Sequence, residues 1–491
     1  MNNKHTNPFQ SGTANSNNFR IPALITLKSG RVLAFTDVRY GNGTDNPANI
    51  ETAMRYSDDG GKTWSDAILI NHFDDMEDED FNKAIPSSAC FIDSAVTESE
   101  SGIIYHACDT CPAFMGLWAT GRYGESNGFI DGKLALCDKT NDNKIECKTL
   151  DQCHYPYYIG EFIERGYAPV LKFENSENYN NYYVNKDYNL YKYSGSEFEP
   201  IMINQLKKDG SVSEKKVIAN IFYALSPLKI YPTYYLWVKK STDGGITWSS
   251  AKILNPEVDS KGFTGFAPGR AVATNHNGKE RIIFPVYDNN DATEYASVVY
   301  TDDGENWHRS KKANSVNSAG KSSESQIVEL NNGILRMFSR NTADYIGYSD
   351  STDGGVTWSD YKLDKSLKYC SNCQFSVINY SKKIDGKNAI IISYPSEKIR
   401  KRGILKIGLY DSNNAIEWKY TKLITDSLIP FSYVYSCLTE EKDGSVLLLY
   451  ESDKAKLSIK IFSLKELKSN DKTTLTKLEK IKSKFLNIIK K

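Results

Sequence analysis

The octapeptide Ser-x-Asp-x-Gly-x-Thr-Trp occurs three times, at Ser57–Trp64, Ser241–Trp248 and Ser351–Trp358, and worn copies stand at Thr301–Trp307 and Asp411–Trp418. Its chemistry is that of a tight turn. The Asp carboxylate caps turn N–H groups, Gly supplies a φ > 0 position, and Trp folds back beneath the turn. One copy would be an ordinary polar turn. Five copies in one chain imply a repeated supersecondary unit, so the chain is read first as an array.

Six strand–turn–strand units accompany these boxes. Phe19–Asp37 turns at Gly30, Ser88–Cys108 at Gly102, Arg270–Asp288 at Gly278, Ser323–Arg340 at Gly333, Gln374–Pro395 at Gly386 and Tyr435–Glu451 at Gly444. Each pairs apolar or alternating runs across a Gly turn, the local signature of a hairpin. Abundant Tyr, Trp and β-branched residues agree with strands. Six such units predict an all-β chain folded as a six-bladed β-propeller, with a stack of β-sandwiches as the alternative. The strand at Lys456–Leu464 is expected to complete a blade begun near the N-terminus. The first strand of each blade lines the axis, so residues upstream of the turn glycines converge: Arg20, Asp93, Arg270, Glu324, Gln374 and Tyr435. Polar strand ends account for Gln374 without any function. They account poorly for two Arg, an Asp, a Glu and a Tyr sharing one rim.

Two segments fall outside the array. Residues 155–235 hold 14 of the 32 Tyr and are expected to form an inserted β-rich domain that either roofs the site or adds bulk. The propeller is then expected over 1–154 and 236–464, with 465–491 a basic helical tail whose Leu475, Leu478, Ile481, Phe485 and Ile488 share one helix face. Such a helix can lie on a membrane, but a face docked on the body or on a partner is the preferred reading. The acidic run Asp74–Asp80 reads as a solvated loop, with calcium binding as the alternative.

Composition narrows the partners. The 61 basic residues balance 61 acidic ones, so no net field favours nucleic acid. No run approaches the roughly 18 apolar residues of a membrane span, and the N-terminus carries no apolar signal region. Nine Cys is an odd count without a disulfide framework. Cys108/Cys111 and Cys370/Cys373 have the spacing of two zinc half-sites, but no His stands at ligand spacing. Free, buried thiols are the expectation.

Several motifs together resemble the bacterial sialidases (exo-α-sialidases, neuraminidases). They are Asn18-Phe-Arg-Ile-Pro-Ala-Leu24, the boxes, Ser323-Glu-Ser-Gln326, Phe338-Ser-Arg340 and Tyr435-Ser-Cys-Leu-Thr439. The likeness runs from Asn17 to Ser452 and includes an insertion like that of the larger clostridial members. It implies a retaining exo-α-sialidase that needs no cofactor and no metal and acts on sialylated glycans; a monomer is expected. Absence of a leader suggests the cytosol, whereas glycan substrates suggest export with a leader missing from this sequence.

The resemblance also implies roles. Arg20, Arg340 and Arg400, with Arg402 as competitor for the third place, clamp the sugar carboxylate, for which guanidinium forks are suited. An anionic nucleophile would be repelled by that carboxylate, and sialidases use Tyr instead. Tyr435 matches the nucleophile and Glu324 the base that a phenol of ordinary pKa near 10 requires. Asp45, in a Gly-rich loop, matches the general acid, and partial desolvation is expected to raise its pKa toward neutrality. Arg39 matches an arginine lining the sugar pocket and Asp93 resembles an aspartate on the N-acetyl side, while Arg270, from its place on the same rim, is expected on the aglycone side. Glu451 is expected to orient Arg20, and Asp37 to pair with Arg39. An intramolecular trans-sialidase would use the same residues. A non-catalytic sialic-acid-binding propeller would not need the complete set.

Overall fold

The computed structural model describes residues 6–41, 43–77, 87–117, 126–138, 155–260, 262–288, 294–313, 322–369, 372–427, 429–453 and 455–469. Each of the six hairpins grows into an antiparallel blade. Blade 1 is Asn18–Thr26, Val32–Arg39, Ile50–Ser57 and Ile68–Asn71. Blade 2 is Cys90–Glu98, Ile104–Cys111, Tyr235–Ser241 and Lys252–Ile253. Blade 3 is built on Val272–His276, Lys279–Asp288, Tyr295–Thr301 and His308–Arg309. Blade 4 is Ser325–Glu329, Leu335–Ser339, Tyr345–Ser351 and Lys362–Lys368. Blade 5 is Ser376–Ile384, Lys387–Glu397, Lys401–Tyr410 and Glu417–Leu423, and blade 6 is Ser436–Glu440, Val446–Asp453 and Lys456–Phe462. The innermost strands touch their neighbours all the way round. The result is a six-bladed propeller.

Blade stacking explains the hydrophobic pattern. Val32–Arg39 is buried at every position, as is Ile104–Cys111, because blades on both sides cover both faces of the sheet. Period-2 alternation is lost wherever both faces are dry. Outer strands such as Glu417–Leu423 stay at least partly exposed. The boxes join the third and fourth strands of blades 1 to 4. In the second, Ser241 Oγ donates to Asp243, and that carboxylate accepts from Ile246 N, Thr247 N and Thr247 Oγ1 (2.6–3.0 Å). Asp411–Trp418 holds the same place in blade 5 with a different bond: Asn414 N donates to the Asp411 backbone carbonyl.

Two expectations need correction. The strand Lys456–Phe462 completes the last blade, pairing with Val446–Asp453, and does not join the first. The N-terminal segment instead covers its outer edge: Ile459 N donates to Asn7 Oδ1 (2.9 Å), and Phe9 packs with Leu447, Leu449, Leu457 and Ile459. The inserted sheet also begins before residue 155. Lys133–Cys137 pairs with Tyr157–Ile159 on one side and Lys229–Ile230 on the other, so the expected boundary runs through a single sheet. The insertion shares its core with blade 2. Leu134, Val170, Val184 and Phe222 form one cluster with Phe91, Cys108 and Trp237.

Of the expected tail, Leu464–Leu467 forms a short helix with a Ser463/Glu466 capping box, and Leu467 is buried; residues 470–491 lie outside the described residues. Cys90, Cys108, Cys111, Cys137, Cys373 and Cys437 are buried and form no disulfide among the described residues, while Cys370 lies outside the described residues. Among the described residues no helix is long and apolar enough to cross a membrane, and no group of His, Cys, Asp or Glu is placed to hold a metal.

Candidate active site

The starting ends of the inner strands meet at one mouth of the channel. Blades 1 and 2 break register at corresponding points, between Arg20 and Ala23 and between Ile92 and Ala95. Ile21 and Asp93 take φ values of 57° and 66° within these bulges. For a β-branched residue such as Ile21 this conformation costs about 1–3 kcal/mol, and bulges of this kind re-aim side chains. Arg20, Asp93, Glu324, Arg340, Arg400 and Tyr435 all line one cavity of about 240 Å³, together with Asp45.

Tyr435 is the centre of the arrangement. Its hydroxyl donates to Glu324 Oε1 (2.7 Å) and accepts from Arg340 Nη1 (2.6 Å). Arg340 Nη1 also reaches Glu324 Oε2 (2.5 Å). The guanidinium carbons of Arg20 and Arg400 lie 5.7 and 5.6 Å from the centre of the Tyr435 ring. Burial pushes the Tyr435 phenol well above its ordinary pKa; Arg340 pulls it down and Glu324 pushes it up again. The arginines therefore do not produce a standing phenolate. The phenol at rest keeps its proton.

Arg20 donates from Nε to Glu451 Oε1 (3.2 Å), which also accepts from Ile21 N (3.0 Å), so Glu451 of blade 6 fixes the Arg20 side chain and the peptide that follows it. Arg400 Nη2 donates to the Asn372 carbonyl (2.8 Å), and Arg340 donates through Nε and Nη2 to Asn372 Oδ1 (3.0 and 2.9 Å). Arg402 points elsewhere. It pairs with Glu397 Oε1 (2.8 Å) and is not in the cavity wall, so Arg400 is the residue the fold brings to the cluster.

The structure revises two placements and one expected pKa. Arg39 is completely buried beneath the loop and does not line the cavity: it donates to Asp37 Oδ2 (2.9 Å) and the Gly43 carbonyl (3.3 Å), and it pairs with Asp45. Asp45 is 66% exposed and accepts from Arg20 Nη1 (2.9 Å) as well. The protein packed around this surface-exposed carboxylate strips some water from it and acts to raise its pKa, but the charges of Arg39 and Arg20 outweigh that and hold it at about 2, opposite to the expected rise. Arg270 is absent from this cavity altogether. Gly269–Arg270 forms a separate piece that pairs in parallel with Ala95 and Val96 of blade 2, which carries the guanidinium to the other end of the channel. Counting back from Gly278 missed that break.

Asp93 lines the cavity with its carboxyl pushed far above the ordinary range, by burial first and then by Asp37, Asp109 and Glu324. The neutral acid, a hydrogen-bond donor, is the form this setting favours. Gln374 is structural: its Nε2 donates to the Ser436 carbonyl (3.0 Å). Sequence reasoning missed Asn372, which ties two arginines together, and the wall formed by Leu117, Tyr234, Phe263 and Tyr287. A lone Asn in a turn and dispersed aromatics carry no motif. Of residues 155–235, Tyr234 lines the cavity, just ahead of the third strand of blade 2, and among the described residues no strand of the inserted sheet does.

Residues 219–448 match a family profile described as a BNR repeat-like domain. The chain is 33% identical over 479 residues to the anhydrosialidase of Macrobdella decora and 34% over 469 residues to sialidase B of Streptococcus pneumoniae. These alignments take in 91% and 90% of this chain but 59% and 63% of the two curated relatives, so it spans about three-fifths of their length. The crystal structure of the intramolecular trans-sialidase from Ruminococcus gnavus, in complex with oseltamivir carboxylate, superposes with a TM-score of 0.82 at 32% identity. That match covers 94% of this chain and 98% of the other. The chain belongs to the sialidase family. A sialidase from Trypanosoma rangeli, at 16% identity and a TM-score of 0.52, shares the fold.

Proposed function

We propose that this sialidase-family chain is a retaining exo-α-sialidase working through Tyr435. One observation carries the reading: the Tyr435 hydroxyl stands between a carboxylate at 2.7 Å and a guanidinium at 2.6 Å, with two further arginines over its ring. Three cations around a phenol suit a substrate whose reacting carbon bears a carboxylate. Arg20, Arg340 and Arg400 hold that group. Tyr435 oxygen attacks the anomeric carbon as its proton passes to Glu324. The bond to the aglycone breaks, its electron pair stays on the leaving oxygen, and Asp45 supplies the proton. Water then gives a proton to Asp45 and attacks the anomeric carbon, and Tyr435 leaves with the proton returned by Glu324. Asp93 and the apolar wall hold the remainder of the sugar.

Asp45 begins as an ionised partner of Arg20 and Arg39. A sugar carboxylate on Arg20 competes for that pairing, and the sugar also covers Asp45 from water. Both effects raise its pKa, so the acid becomes available as substrate binds.

A second reading is favoured by the names of the relatives. The Macrobdella protein is an anhydrosialidase and the Ruminococcus protein an intramolecular trans-sialidase. In that chemistry a hydroxyl of the sugar itself takes the place of water. Incubation of the full chain with a sialylated oligosaccharide, followed by product analysis, tests both. Free sialic acid supports hydrolysis, and the 2,7-anhydro sugar supports intramolecular transfer. Binding without either product would leave a lectin-like propeller.

A further inference from the structure

A second cavity, of about 330 Å³, opens at the opposite mouth of the channel. It is bounded by the far ends of the strands that begin at the candidate active site: Thr26 follows Arg20, Glu98 follows Asp93 and Glu440 follows Tyr435. Between the two cavities, Gln326 and Gln374 from blades 4 and 5 both donate to the Pro268 carbonyl (3.0 and 3.3 Å). Arg270, two residues on, forms part of the far wall.

Arg270 is unlike most arginines of this protein. Arg281, Arg309, Arg336 and Arg402 each hold a carboxylate. Arg270 holds none among the described residues. Its Nη1 makes two long bonds, to the Leu24 carbonyl (3.5 Å) and to Thr439 Oγ1 (3.3 Å), and its Nε is buried with no acceptor. Burial lowers its pKa, the sign of a cation taken from water without full compensation. Two acids share the rim, and the charge of Glu98 reaches Arg270 and favours its charged form without outweighing burial. Glu98 accepts from Lys28 N (2.7 Å), and Glu440 accepts from Ser381 N and Oγ (2.7 and 2.6 Å).

A guanidinium with donors to spare, in the wall of a solvent-connected cavity that also presents threonine hydroxyls, is the chemistry that recognises oxyanions. We propose that the far cavity binds a small oxyanion, a carboxylate or phosphate group, with Arg270 as its anchor. The site is separate from the proposed sialidase chemistry and stands or falls independently of it.

Crystals of the full chain soaked in sodium bromide test this site by site through anomalous scattering, with the cluster of Arg20, Arg340 and Arg400 as internal control. A bromide peak within hydrogen-bond distance of Arg270, lost in Arg270→Gln, is expected. Bromide at the control cluster but not at Arg270, or a peak that persists in Arg270→Gln, overturns the proposal. Should Arg270→Gln fail to fold, Glu98→Gln removes a rim charge while keeping an acceptor for Lys28 N. It should raise bromide occupancy in the far cavity several-fold and leave the control unchanged; equal occupancy overturns the proposal. Parallel soaks in sodium acetate and sodium phosphate separate the two oxyanions. Bromide without either of them means an adventitious ion only, and the proposal fails.

Discussion

Asp243 in the second box and Asp45 over the channel share one acidity, both held at about 2, by unlike means. Asp243 is held down by the Thr247 hydroxyl and by N–H and hydroxyl groups within four residues along the chain. Those donors are covalently tied to it and never leave. At Asp45, burial opposes and two guanidinium charges prevail, and Arg20 is one of the arginines proposed to hold the sugar carboxylate. A carboxylate held by its own turn is a fixture. One held by groups with another task is a switch, and the same low pKa therefore says nothing about role until its source is named.

The largest effect expected on this contrast comes from the chemistry proposed for Asp45. Tyr435→Phe should lower kcat/KM for a fluorogenic sialoside on the order of 10³-fold or more, since the phenol is the only nucleophile proposed. Equal rates would remove Tyr435 from the mechanism and leave Asp45 with nothing to assist. Next, Asp45→Ala should cost about 10²–10⁴-fold on natural glycans, the range for a lost general acid. Activated aryl sialosides should suffer much less because their leaving groups need little protonation; matching losses would count against the acid role. Third, binding a carboxylate-bearing sialic-acid analogue near neutral pH should take up protons, because Asp45 is released from Arg20 and its pKa rises. Calorimetry in two buffers of different ionisation enthalpy measures this. Uptake that is unaltered in Asp45→Asn would mean Asp45 is as fixed as a box aspartate.

The smallest effect belongs to the boxes. Asp353→Ala should cost about 1 kcal/mol, the usual loss for a capping carboxylate, with kcat/KM unchanged. The Asp353 pKa lies below its ordinary 3.8, because the Thr357 and Ser351 bonds outweigh burial. Its contribution is therefore fully present above that ordinary value and is lost as pH falls through the lowered one. Urea unfolding of wild type and variant should converge in acid. A gap that widens in acid would contradict this.

Much of this was legible beforehand because it rests on local chemistry. The boxes and glycine turns announce themselves in runs of eight residues or fewer, and repetition multiplies the signal. Arg20, Glu324 and Tyr435 could be placed on one rim because each stands near the start of an inner strand whose turn is visible, whereas Arg340 is legible only through the motif Phe338-Ser-Arg340. Arg270 was misplaced because the backbone breaks between Gly269–Arg270 and Val272–His276, and nothing in Gly-Arg-Ala-Val marks that break. The sign of the Asp45 shift was also out of reach. It depends on Arg20 and Arg39 meeting one oxygen, a contact that separation along the chain does not reveal. The start of the insertion was hidden because Lys133–Cys137 reads as well in a blade as in the added sheet.

The bond from Arg20 to Glu451 joins residues 431 positions apart and links the first blade to the last. Leu24 N to Cys437 Sγ and Thr26 N to Thr439 Oγ1 cross the same junction without a shared strand. Contacts so distant along the chain slow folding, and a junction held by side-chain bonds without a strand ladder is a place where sub-global opening begins. On gentle heating or in dilute denaturant, turnover should fade while most of the strand signal persists. Enzymatic output would then serve as an early alarm for the ring coming apart, well before the blades themselves melt.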